Sequence, residues 1–281
     1  NVVYAKKKHG KVFSVIKRCL VLLFLSLMII SVYLLPRMSF FTEKVANNYS
    51  KKVFPYIAKI FNSVFSLSLN SVTELVVVAG VIPLIALLIY GIVLMVIKIV
   101  KGGFLDYIYK VVAAFLIITL VFGLSFQLMH GFNYRRTPVE KVLKLTKITN
   151  RSIEEIIPVY NWAHDEMVAA RKELGEDYNG VTHIQTDFDE SVYYANILIN
   201  SVSEYFDLGL SKNYVRAKPV SLSHYWSYTN ILGMYNPFFG EANVNVDITS
   251  LVTYPESIVH EILHAKGLAR ESDAELAAIS S

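Results

Sequence analysis

The segment with the clearest chemical potential is His260-Glu261-Ile262-Leu263-His264. On a helix, side chains four residues apart lie on one face, so His260 and His264 can present two imidazoles to one metal ion. Glu261 lies about 100° around the helix from His260, near enough to take a proton from a zinc-activated water without being a ligand. This spacing is typical of zinc hydrolases. We therefore predict Zn²⁺ as cofactor, His260 and His264 as ligands, and Glu261 as the general base.

A catalytic zinc ion needs a third protein ligand, and acidic residues follow the motif closely. Gly267 can end the helix in a left-handed conformation and turn the chain back. In metzincins a third histidine comes three residues after such a glycine, but Arg270 stands there, which excludes that class. The spacing leaves Glu271 and Asp273 open as the third ligand. Glu275 can be explained without a metal, because an acidic side chain is favourable near the N-terminus of a helix.

The elements that must position this motif belong to the second half of the chain. We predict an α+β fold in which residues 133–281 form a mainly helical domain with a small sheet. Thr253-Tyr254-Pro255-Glu256 is a capping box that begins the histidine-bearing helix. Residues 242–248 alternate small or apolar with polar side chains, which indicates a half-exposed strand.

Three uncharged apolar runs precede this domain, near residues 17–36, 75–97 and 111–130. A membrane-crossing helix needs about 20 such residues, so we assign residues 1–132 to a membrane region. Basic residues before the first run predict a cytoplasmic N-terminus, and three crossings then place the domain outside the cytoplasm. The charge of +4 lies beside the apolar runs, which argues against a nucleic-acid partner. The single cysteine excludes an intrachain disulfide.

The sequence also resembles a family of uncharacterised bacterial multi-pass membrane proteins, domain-of-unknown-function family 3810. The resemblance covers roughly residues 75–276. Its motifs are Gly131-Phe132-Asn133-Tyr134-Arg135-Arg136-Thr137-Pro138, then Gly233-Met234-Tyr235-Asn236-Pro237-Phe238-Phe239-Gly240-Glu241-Ala242-Asn243-Val244-Asn245, His260-Glu261, and Gly267-Leu268-Ala269-Arg270-Glu271. The resemblance implies N-terminal helices followed by an extracytoplasmic zincin-like domain.

Resemblance also bears on the third ligand and the substrate. Residues 271–275 are similar to the Glu-x-x-Ala-Asp/Asn segment that supplies a glutamate ligand in gluzincin-like peptidases, which implies Glu271. Family members often carry glutamate where this chain has Asp273, and a shorter carboxylate is a poor replacement at a metal. In zincins an edge strand beside the active-site helix pairs with extended substrate. Residues 242–248 are the candidate, with Asn243 and Asn245 binding substrate or, alternatively, the neighbouring loop.

These features together predict a multi-pass cell-membrane protein with an extracytoplasmic zinc metallohydrolase domain. A peptidase acting on a peptide or protein substrate in the cell envelope is the reading we favour. The alternative is a non-catalytic sensor or partner-binding module with a structural zinc site. An intramembrane protease is disfavoured because residues 264–275 are too polar to lie in lipid. The chain ends at Ser281 inside a helix-like stretch, so we expect that the C-terminus is truncated.

Overall fold

The computed structural model describes residues 2–145, 152–183, 186–247 and 253–280, with side chains from residue 13 onward. Helices dominate this part of the chain and are joined by one small sheet, in agreement with the predicted α+β class. The helices are α1 (Val2–Leu34), α2 (Glu43–Lys52), α3 (Phe54–Phe65), α4 (Val72–Lys101), α5 (Phe104–Met129), α6 (Val139–Val142), α7 (Ile153–Glu173), α8 (Phe188–Tyr205), α9 (Ser223–Tyr228), α10 (Thr253–Ala265) and α11 (Glu271–Ile279). The strands are β1 (Lys218–Pro219), β2 (Gly233–Asn236) and β3 (Glu241–Val244).

The three predicted apolar helices are confirmed. The segments Phe13–Arg37, Val72–Lys101 and Phe104–Met129 are long and apolar enough to cross a membrane, and almost none of their surface is buried by protein. Helix α1 packs along α5, and Gly102 and Gly103 connect α4 to α5 with positive φ angles. The domain lies at the end of this bundle where the first span ends, α4 begins and α5 ends. Which side of the membrane this is stays a prediction.

The segment between the first two spans also contributes to the domain. Helices α2 and α3 lie between α1 and α4, in the part of the sequence assigned to the membrane region. Phe54 and Ala58 of α3 form a small buried cluster with Met129, the last residue of α5. The exit of the third span is therefore enclosed by protein.

The sheet has the strand order β1-β3-β2, with β1 parallel and β2 antiparallel to β3. The predicted strand over residues 242–248 is shorter and is central instead of an edge, so that expectation was wrong. Both faces of β3 are buried. Its polar side chains point inward because they form hydrogen bonds with the start of α4. Ile248 lies outside the described residues. Strand β2 is an edge of the described sheet, on the side nearest α10.

Polar contacts fasten the sheet to the start of α4. The Glu241 carboxylate accepts hydrogen bonds from the backbone N–H groups of Val72 (3.2 Å) and Thr73 (2.8 Å), in the first turn of the helix. A carboxylate is favourable there because the first N–H groups of a helix lack intrahelical partners. The Lys218 ammonium pairs with the same carboxylate and also donates to the Phe65 carbonyl. Both charged side chains are almost fully buried.

The β2–β3 turn reaches the membrane helices. Phe238 lies edge-on to Phe122 of α5, with ring centroids 5.0 Å apart, and Phe239 packs on Phe65 of α3 at 5.0 Å. Gly240 has a φ of 65°, and a side chain there would meet Met129 and α3. The Asn-Pro-Phe-Phe-Gly segment of the family motif is thus the contact between the sheet and the bundle.

Candidate metal and active site

Helix α10 carries His260, Glu261 and His264 and ends in a Schellman turn. The Leu268 N–H donates to the Leu263 carbonyl (3.0 Å), and the Gly267 N–H donates to the His264 carbonyl (3.1 Å). Gly267 has a φ of 111°, as the sequence predicted for a residue that ends this helix. The turn reverses the chain, so α11 begins beside the histidines with Glu271 as its first residue.

Three side chains converge in front of this turn. The Nε2 atoms of His260 and His264 are 3.1 Å apart. Glu271 Oε2 lies 3.1 Å from His260 Nε2 and 3.3 Å from His264 Nε2. Donor atoms on a tetrahedral zinc ion, at about 2.0–2.1 Å from the metal, are about 3.3 Å from one another. The three atoms therefore have the separation that one small cation requires.

Each histidine has a second partner that orients its ring. His264 Nδ1 lies 2.6 Å from the Leu268 carbonyl, which can only accept, so the Nδ1 atom carries the proton and Nε2 keeps its lone pair. His260 Nδ1 lies 3.4 Å from Glu275 Oε2. Carbonyl and carboxylate groups on the far nitrogen are the usual supports of metal-binding histidines. Glu275, interpreted from sequence as a helix-terminus acid, is placed for this role.

Electrostatics favour a cation at this point. Burial, together with the nearby Glu271 carboxylate, raises the pKa of Glu261 to about 8. Burial, followed by the Glu275 carboxylate, also raises the pKa of Glu256. Burial lowers the pKa of His264, which keeps the imidazole neutral. A neutral imidazole lone pair facing a carboxylate oxygen at 3.3 Å is repulsive unless a cation or proton lies between them. The residues present thus fit a zinc ion.

Glu261 is held beneath β2. Its side chain is 6% exposed, and its Oε2 atom has no hydrogen-bond partner in the part of the chain that the structure describes. The backbone of Tyr235 in β2 lies beside the carboxylate and lowers its pKa, against the larger effect of burial. A Cβ atom at Gly233 would come within 2.5 Å of Glu261 Oε1 and 2.6 Å of Cγ. Gly233 therefore allows β2 to approach the carboxylate, a requirement that the bare sequence did not reveal.

Asp273, the second candidate for third ligand, faces away from the histidines. It is 3% exposed and accepts hydrogen bonds from the Val139 N–H (3.0 Å) and the Arg270 guanidinium (2.6 and 2.8 Å). Its carboxylate thus caps α6 and ties the exit of α5 to α11. The carboxylate that lies close enough to both histidines to share an ion with them is that of Glu271.

The structure places Asn243 and Asn245 in the interior, outside the residues that line the pocket, which fits the alternative that they bind neighbouring protein groups. Asn243 is 0% exposed, and its Oδ1 accepts a hydrogen bond from the Ser71 hydroxyl at 2.6 Å. Asn245 is 1% exposed and donates to the Ile231 carbonyl at 2.9 Å. Both amides are internal bridges: Asn243 lies on the central strand β3, and Asn245, the residue after that strand, bonds the segment before β2.

The side chains of His260, His264 and Glu271 lie in an open pocket of about 520 Å³. One wall is β2 with the preceding residues 230–232, and the opposite wall is α10 with Glu271 and Glu275. His130, at the end of α5, closes the membrane-facing side, and its Nε2 lies 3.1 Å from the Tyr134 hydroxyl. Burial lowers the pKa of His130 to about 4, so its ring is neutral near pH 7. His130 was not among the residues predicted for the site, although its place directly before the Gly-Phe-Asn-Tyr motif was a usable signal.

Similarity searches place the chain in a family without assigning it an activity. No curated protein and no solved structure shows significant similarity to it. Residues 49–279 match the model of the family described as "Protein of unknown function (DUF3810)", which is most of the chain. The chain therefore belongs to this family.

Proposed function

We propose that the chain is a membrane-anchored, zinc-dependent metallohydrolase with a gluzincin-like peptidase site outside the cytoplasm. The observation that carries the proposal is the convergence of His260, His264 and Glu271 within 3.1–3.3 Å of one another, beside a buried carboxylate without a complete set of partners. His260 Nε2, His264 Nε2 and Glu271 Oε2 would hold the ion.

Zinc, when bound, supplies a positive charge that acidifies water and polarises a carbonyl group. The chain's own groups supply the proton transfers. Glu261 is positioned to accept a proton from the attacking water and to return it to the leaving amine nitrogen. Its elevated pKa suits both steps, because a group that titrates near neutral pH can accept and donate. His130 faces the same pocket and, with Tyr134, can hydrogen-bond a substrate oxygen.

The shape of the pocket supports a peptide substrate. Strand β2 borders the pocket and has no partner strand on that side among the described residues. An extended chain could therefore add to β2 through backbone hydrogen bonds, a common way in which proteins bind peptides. Met234, 42% exposed on β2, offers an apolar contact to a substrate side chain.

Zinc content and two variants test this proposal. The full chain, purified in detergent with zinc in the medium, is expected to carry about one zinc per molecule. His260→Ala should remove the zinc, whereas Glu261→Gln should keep zinc and abolish cleavage of a mixed peptide library. A well-folded wild type without zinc would overturn the proposal.

The same pair of variants separates catalysis from a structural role. Glu261 contacts β2 and is not among the three converging ligand atoms, so its amide variant preserves the ligand set. If the protein is a non-catalytic sensor or partner-binding module, the Glu261→Gln variant should still bind its partner. In that case the wild-type protein should cleave no peptide.

A further inference from the structure

We propose that the protein has a binding site for one membrane phospholipid, separate from the metal pocket. The acyl chain would lie in an apolar groove between α1 and α5, and the phosphate would bind two arginines at the mouth of this groove. The occupant comes from the bilayer leaflet on the side of the domain.

The groove has a volume of about 540 Å³ and is lined mainly by apolar side chains. Its walls include Ile29, Val32, Phe122, Gly123 and Phe126, and Phe238 of the β2–β3 turn closes one end. A helix rises about 1.5 Å per residue, so Ile29 lies about 12 Å below Arg37, within the roughly 15 Å of hydrocarbon in one leaflet. The groove therefore has the depth of a lipid chain.

Two exposed guanidinium groups stand at the mouth, where the first span ends and α5 leaves the membrane. Arg37 Nη1 donates to the Tyr33 carbonyl (2.7 Å), and the group stacks on the Tyr33 ring, 4.1 Å from its centroid. Arg135 Nε donates to the Pro36 carbonyl (2.7 Å). Each guanidinium group thus uses one N–H in a hydrogen bond to a backbone carbonyl and has further N–H groups that can bind a ligand. Neither forms an ion pair with a carboxylate in the described part of the chain.

The surroundings of the two arginines reinforce the charge. An adjoining polar cleft of about 410 Å³ is lined by Arg37, Arg135, Arg136 and Arg270, and its one carboxylate is Glu43. Glu43 is already engaged by the Lys141 ammonium at 3.2 Å, and Arg270 is engaged by a buried aspartate. Guanidinium groups bind phosphate oxygens with matched geometry, so the free charge of Arg37 and Arg135 fits a phosphodiester.

The polar edge of the groove also suits a headgroup. Gln127 lines the groove and also a second adjoining cleft, which it shares with Arg37 and Arg135. Its amide group is a polar side chain at the edge of the groove, beside both arginines. Phosphatidylglycerol, whose headgroup carries one anionic phosphodiester, is the probe we choose.

Native mass spectrometry of the full chain, delipidated in detergent and titrated with phosphatidylglycerol, tests the site. Wild type should retain one lipid. Arg37→Gln/Arg135→Gln should weaken that binding about tenfold or more, because both charge-assisted hydrogen bonds to the phosphate are lost. The control Lys52→Gln/Lys59→Gln removes the same charge on the same side and should bind as wild type.

A second pair of variants tests the acyl chain. A Cβ at Gly123 would lie 3.6 Å from Val32, in ordinary contact, so Gly123→Leu should fill the groove without disturbing the helices, and lipid binding should be lost. Gly80→Leu, on α4 with no atom within 4 Å of its Cβ, is the matched control and should leave binding intact. Equal losses in the arginine and lysine variants would overturn the site. Unchanged binding in Gly123→Leu would also overturn it, because an anion site alone would then explain the data.

Discussion

The close approach of Gly233 to Glu261 can be tested without knowledge of the substrate. A Cβ at Gly233 would lie 2.5, 2.6 and 2.8 Å from Oε1, Cγ and Cδ of Glu261, closer than such atoms are found in proteins. Glu261 is 6% exposed and cannot move aside freely. Gly233→Ala should therefore destabilise the protein by about 1–3 kcal/mol, the usual cost of overpacking a filled site.

The same substitution should behave differently when Glu261 is shortened. Glu261→Ala removes all three clashing atoms, so Gly233→Ala then acts mainly on the unfolded chain and should stabilise the protein by about 0.4–1 kcal/mol. The coupling between the two sites is then about 1.4–4 kcal/mol, which is large for a double-mutant cycle. At about 2–4 °C per kcal/mol, the two effects of Gly233→Ala should differ by roughly 3–16 °C in unfolding midpoint.

Thermal unfolding of the full chain in detergent, with zinc removed by a chelator, measures this coupling directly. Gly175→Ala serves as the control, since no atom lies within 4 Å of its Cβ and its effect should be the same in both backgrounds. If Gly233→Ala shifts the midpoint equally in wild type and in Glu261→Ala, β2 does not press on Glu261, and the positioning argument fails.

Three further predictions concern the ligands, pH and the sheet. Glu271→Gln should lose most of its zinc and keep its fold, whereas Asp273→Asn should keep zinc by elemental analysis and lose about 1–3 kcal/mol of stability by denaturation. The pKa of Glu261 is raised to about 8, so the folded, metal-free protein holds a proton that the unfolded chain releases. Its stability should therefore fall by about 2 kcal/mol from pH 6.5 to 8, and Glu261→Gln should abolish that slope in parallel melts. Glu241→Gln should leave the buried Lys218 charge unpaired and cost about 3–5 kcal/mol, with Lys218→Met/Glu241→Gln restoring part of the midpoint.

The sequence predicted those features that depend on local periodicity. The apolar runs became α1, α4 and α5 because each is long and nearly uncharged, and the histidine helix formed where the capping signal began and Gly267 ended it. Helical spacing alone put His260 and His264 on one face. These features need no knowledge of what the helix packs against.

Features that depend on distant contacts were missed or misread. The alternation at residues 242–248 is typical of a half-exposed edge strand, but Glu241 and Asn243 turn inward to bond the start of α4, which is about 170 residues earlier in the chain. Asp273 and Glu271 are equally acidic in sequence. The Val139 N–H at the start of α6 and the Arg270 guanidinium, which both donate to Asp273, show that this residue is committed to the fold. A single sequence holds no signal for pairings at such distances.

These distant contacts share a consequence for function. Arg136, just beyond the third span, donates to the Gly267 carbonyl (3.1 Å) at the turn between α10 and α11, and Arg270 donates back to the Arg136 carbonyl at 3.1 Å. His130, on the same exit segment, lines the metal pocket. The walls of the proposed active site are therefore held in place by the ends of membrane helices. On the proposed function, a substrate that reaches His260 would pass close to the ends of the apolar helices, so we expect peptides tethered to the membrane or emerging from it to be better substrates than freely diffusing proteins.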